Sequence, residues 1–144
     1  MGATAYVDGS YNIHTKCFSY GIVFFTGAQD PEGNRQELHY SQSFSHPELA
    51  EMRNVAGEIM GSAQAMKIAA KLGISELTIY HDYEGIAKWC TGEWKARKPW
   101  TQKYRDFYRE ISKTVTITFI KVKGHSGDKY NDLADELARK AVGN

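Results

Sequence analysis

At 144 residues the chain is long enough to bury one hydrophobic core without staples and too short to divide, so a single domain over residues 1–144 is expected. Eighteen Lys and Arg against seventeen Asp and Glu leave a formal charge of +1, which excludes a bulk polyanion trap and confines any nucleic-acid footprint to a local patch. Cys17 and Cys90 lack zinc or disulfide spacing, and the chain has neither an export-type start nor a stretch near ~20 apolar residues; a reducing, cytoplasmic setting without membrane insertion is expected.

In chain order, Thr4 to Asp8 reads as a first strand, β-prone and stopped by Gly9-Ser10, so that Asp8 stands at its C-terminal end. Tyr20 to Thr26 and Gln36 to Phe44 follow as strands of an antiparallel meander, separated by the turn residues Gly27, Asp30-Pro31 and Gly33-Asn34. From Ala50 to Leu72 the period changes. Val55, Ile59, Ala63, Met66 and Ala70 recur at helical spacing, with Gly73 at the C-cap. Ile74 to His81 is a fourth strand that ends in Asp82. Tyr83 to Cys90 and Thr101 to Lys113 read as helices around the Pro99 break, Val115 to Val122 as a fifth strand, and Leu133, Ala134, Leu137, Ala138 and Ala141 as a closing helix. The order βββαβααβα predicts an α/β fold in which a five-stranded mixed sheet is flanked by helices.

Acids punctuate this order. Asp8 and Asp82 each sit at a strand end, where ligands bind in open α/β sheets. Glu58 lies on the long helix between Gly57 and Gly61-Ser62, small residues that permit close approach to the sheet, and Asp135 follows Asn131 by one helical turn. Each alone reads as a surface or turn acid. Together they supply hard oxygen ligands suited to magnesium, with manganese able to substitute, because clustered carboxylates repel one another unless cations lie among them. The implied chemistry is phosphodiester hydrolysis with two ions, one activating water and the other stabilising the leaving oxygen. His125, between Gly124 and Gly127, is placed to transfer protons near neutrality, whereas zinc is disfavoured for want of clustered His and Cys. A basic, aromatic interval, Lys88 to Arg105 with Trp89, Trp94 and Trp100, favours contact with a nucleic-acid backbone.

On these residues the chain resembles the type 1 ribonuclease H family from Ala5 to about Val142. The matching stretches are Asp8-Gly9-Ser10, the helix bearing Glu58, the strand ending at Asp82, and Gly124-His125-Ser126-Gly127 followed by Asn131 and Asp135-Glu136-Leu137-Ala138. The resemblance implies a ribonuclease H-like fold and endonucleolytic cleavage of the RNA strand of RNA–DNA hybrids, leaving 5′-phosphate and 3′-hydroxyl ends. It also implies Asp8, Glu58, Asp82 and Asp135 as catalytic metal ligands, Asp132 being a decoy, and His125 as an assisting loop histidine. Gly9, Ser10, Asn12, Asn54, Trp89 and Asn131 become the substrate-binding residues. Asn12 and Asn54 would read ribose 2′-hydroxyls in the minor groove, and Trp89 would pack on a DNA sugar. The expected partner is the hybrid, and the chain is expected to act as a monomer. Arg53 and Tyr83 depart from the family, standing where it commonly carries a small hydroxyl residue and Ser. Two other readings remain at this stage: a DNA nuclease or polynucleotidyl transferase of the wider fold, and a catalytically silent nucleic-acid-binding domain.

Overall fold

A computed structural model describes residues 2–123 and 128–144. Its strands are β1 (Gly2–Tyr11), β2 (Phe18–Gln29), β3 (Arg35–Phe44), β4 (Glu76–His81) and β5 (Thr116–Lys121). The helices are α1 (Pro47–Ala50), α2 (Asn54–Lys71), α3 (Gly85–Thr91), α4 (Pro99–Ile111) and α5 (Lys129–Ala141). The strands form one mixed sheet in the order β3-β2-β1-β4-β5. β1, β2 and β3 pair antiparallel as a meander, while β4 and β5 join in parallel through helical crossovers. This is the α/β architecture expected, with one short helix, α1, added.

Side-chain alternation along the strands explains the two layers. Ala3, Ala5 and Val7 of β1, with Ile22 and Phe24 of β2 and Leu77 and Ile79 of β4, are buried against Ile59 and Met66 of α2 and against Ile86 and Tyr104 of α3 and α4. On the opposite face Val23 and Phe25 pack with Ala134 of α5. Among the described residues, no helix is long and apolar enough to cross a membrane.

Two boundaries differ from expectation, and both bear on the site. β1 continues through Gly9 and Ser10 to Tyr11, paired with β2 as far as Phe18. Gly9 is there for close packing and ends nothing: a Cβ on it would collide with Asn54 O and Glu58 N of α2. Likewise the long helix does not begin at residue 50. The one-turn α1 ends first, and Arg53, at φ 52° and ψ −128°, redirects the chain before α2 starts at Asn54.

Candidate active site

Three elements deliver three acids to one point. The parallel pairing of β1 with β4 ends at Tyr6 opposite Tyr80, so Asp8 and Asp82 both lie just past the last paired residues of adjacent strands. Asp8 alternates to the side away from Val7, toward α5. Glu58 is brought in by the second turn of α2, which can reach the sheet because Gly57 lies against Ser19 O of β2, with no room for a Cβ. Carboxylate oxygens of Asp8, Glu58 and Asp82 converge to within 4.8 Å of one another.

The electrostatics of that cluster are unfavourable as it stands. Asp8 and Glu58 are 7% and 2% exposed. Burial, followed by the charges of Asp82 and Asp135, pushes the Asp8 carboxyl up to about 8, against the lowering effect of the Gly9 N–H that donates to its Oδ1 at 2.9 Å. Glu58 is raised well above the usual carboxylate range, again mainly by burial and then by Asp82 and Asp8; the Tyr83 N–H donating to its Oε1 at 3.1 Å opposes this. Among the described residues no Lys, Arg or His forms an ion pair with these three acids. Carboxylate donors that converge and lack a protein cation have the chemistry of a divalent-ion site, and hard ions such as magnesium fit a donor set made only of carboxylates.

Asp135 approaches from α5, whose N-terminus is capped by the Asp128 carboxylate accepting from the Tyr130 and Asn131 N–H groups. Its carboxylate reaches Asp8 but is not part of the mutually converging group of three. Its Oδ2 accepts from Arg139 Nε at 2.9 Å, and it lines an open groove of about 640 Å³ with Gly9, Ser10, Arg53, Asn54 and Arg139. Asp132 is exposed to solvent.

The other expected site residues divide. Asn54 is exposed at the first position of α2, in the groove. Trp89 is nearly buried in an aromatic cluster with Tyr83 and Trp94, ring centroids 5.8 and 5.9 Å away, and borders a pocket of about 370 Å³ with Tyr83, Lys95, Arg97 and Lys98. Asn12 is occupied with the fold: its Oδ1 accepts from the His14 and Thr15 N–H groups, and its Nδ2 donates to Val142 O at 2.8 Å. That leaves one amide hydrogen for a ligand. Ser10 is buried, and its Oγ accepts from Asn144 Nδ2. Asn131 is buried too, its Oδ1 without a hydrogen-bond partner among the described residues. His125 lies outside the described residues. Sequence reading missed Arg139, although its i+4 spacing from Asp135 was visible, and the bracing of Glu58 by the Tyr83 backbone, which leaves no signature in residue type.

Carboxylates from β1, α2 and β4, with a fourth on α5, gathered at the open end of a β3-β2-β1-β4-β5 sheet, define a class of hydrolytic site. Residues 2–143 match the RNase H family model, and the chain belongs to the RNase H family as a ribonuclease H hydrolase. It is 33% identical over 150 residues to the ribonuclease H of Pseudoalteromonas translucida, covering 96% of this chain and 88% of that one. The RNase H1 of the halophilic archaeon Halobacterium salinarum shares the fold at a TM-score of 0.76 and 20% identity, over 99% and 98% of the two chains. LC11-RNase H1, solved in complex with an RNA/DNA hybrid, does so at a TM-score of 0.70 and 17% identity, over 97% and 99%.

Proposed function

We propose that the chain is an endonuclease that hydrolyses the RNA strand of RNA–DNA hybrids at Asp8, Glu58, Asp82 and Asp135, leaving 5′-phosphate and 3′-hydroxyl ends. The observation that carries this reading is the convergence of three carboxylates within 4.8 Å, two of them buried and raised in pKa, in a chain of the RNase H family. Two divalent ions, Mg2+ with Mn2+ as a substitute, would be held by the four acids and would supply water activation and leaving-group stabilisation. The protein's own contribution is placement. The Gly9 and Tyr83 N–H groups fix Asp8 and Glu58, so that the acids meet a cation without reorganising. His125 would assist proton transfer, in a role that aids turnover without being indispensable to it.

Substrate choice follows from the flanks. Asn54, exposed in the groove beside Asp135, can donate to and accept from a ribose 2′-hydroxyl, which a DNA strand lacks. Across α2, the Trp89 pocket with Lys95, Arg97 and Lys98 offers an aromatic surface and cations to the partner strand, where DNA is preferred. Gly9, Ser10, Asn12 and Asn131 support this surface chiefly through the backbone and the fold. The enzyme works as a cytoplasmic monomer and as a single domain in this reading. Its test is a panel of labelled duplexes, namely hybrid, double-stranded RNA and double-stranded DNA, with and without magnesium at fixed salt. Magnesium-dependent cleavage of the hybrid alone is expected; equal cleavage of DNA duplex and hybrid would overturn the reading in favour of a DNA nuclease.

A further inference from the structure

We propose that Arg139 is a positioning residue that competes with a divalent cation for Asp135, occupying its Oδ2 in the metal-free chain and yielding it when an ion binds. The proposal rests on the reading of the four acids as ion ligands. Among the described residues, Arg139 is the cation that forms an ion pair with any of them, its Nε donating to Asp135 Oδ2 at 2.9 Å. Asp135 is also the acid left out of the convergent group of Asp8, Glu58 and Asp82. Asp135 borders that group without completing it: its carboxylate reaches Asp8, while its Oδ2 is held by a guanidinium one turn along α5.

Strength decides whether such a pair is a latch or a lock. The side chains are 52% and 24% exposed, so solvent screens the pair and keeps it weak enough to be displaced. A divalent ion brings twice the charge and several carboxylates at once. Displaced, the guanidinium stays in the groove of about 640 Å³ that it lines with Arg53 and Asn54, where a planar fork of donors suits a backbone phosphate.

The experiment is a calorimetric Mn2+ titration of the full chain at low ionic strength, comparing wild type with R139Q, R139K and Asp8→Asn. The expected result is that the weakest resolved ion-binding step tightens about 3- to 10-fold in R139Q and stays closer to wild type in R139K, which keeps the charge. In wild type the Arg139 Nε–H resonance should shift at that same step when Mg2+ is the titrant. Affinity unchanged or weakened in R139Q, while Asp8→Asn loses ion binding, would overturn the role of Arg139 alone. A wild-type chain that binds no Mn2+, or binds it as well after Asp8→Asn, would overturn the ion-site reading and this proposal with it.

Discussion

Asp8 and Glu58 are acids whose surroundings oppose their charge, and that opposition sets a sign for stability. With Asp8 at about 8 in the folded chain and 3.8 as its reference value, the folded state holds more protons than the unfolded state between those limits. Stability of the metal-free protein therefore falls as pH rises from about 4 to 8. Thermal denaturation in chelator should show this decline, and saturating magnesium should flatten it, since bound cations replace the protons. Asp8→Asn removes the cost of burying a carboxyl that must be protonated or charged. It should raise metal-free stability by roughly 1–2 kcal/mol, a gain of about 3–8 °C in Tm, while lowering turnover by orders of magnitude.

Asp135 and Asp132 supply a paired test at the same scale. Asp135→Ala should be crippled and Asp132→Ala nearly normal, because Asp132 is turned about a hundred degrees from the buried Asn131 around α5 and faces solvent. The reverse result in one assay would reassign the last carboxylate. For His125→Ala a loss of about 100-fold or less is expected, in keeping with a general acid–base contribution, and full activity across the pH range would remove it from the chemistry. Residue types and order were enough to single out Asp8, Glu58 and Asp82, the three acids that the fold brings within 4.8 Å of one another. They did not reveal that Asp135, beside Asp8, also pairs with Arg139, because the sequence does not say which of its neighbours a side chain turns to. Asn12 and Ser10 were read as substrate contacts from a motif; their side chains also meet Val142, His14, Thr15 and Asn144, of which Val142 and Asn144 lie at the far end of the sequence.

At the scale of elements, the periodic pattern of α2 and the alternation in β4 and β5 were legible because burial on one face imposes a period. The ends were not. Gly9-Ser10 carries the residue types of a turn, yet β1 runs straight through, and the glycine serves the approach of α2. No Gly or Pro marks the break before Asn54, where Arg53 itself takes the positive φ. Gly57→Ala tests the approach directly: a methyl against Ser19 O must push α2 from the sheet and carry Glu58 with it. A stability loss of about 3 kcal/mol by denaturant titration, together with weakened ion binding, is expected. A second brace joins α2, α3 and α4. The Tyr104 hydroxyl, fully inside the core, bonds Ser62 Oγ at 2.9 Å and donates to Ile86 O at 2.7 Å. Tyr104→Phe leaves both groups short of a partner, and a loss of about 1–2 kcal/mol is the expected outcome of the same titration.

Over the whole molecule, charge near zero and a clustered basic interval act together. A formal +1 gives no long-range hold on a polyanion, so affinity must come from local cations such as Lys95, Arg97 and Lys98 beside Trp89. Binding of a hybrid should weaken as salt rises, with a shallow slope that reflects a small number of phosphate contacts. The central claim joins the four acids to one strand of one kind of duplex. It is tested most directly by a hybrid labelled on its RNA strand, and in a parallel sample on its DNA strand, incubated in magnesium with wild type and with Asp82→Asn. Wild type should cut the RNA strand alone, giving 5′-phosphate ends, and Asp82→Asn should cut neither. Cleavage of the DNA strand by wild type, or wild-type-like cleavage by Asp82→Asn, would contradict it.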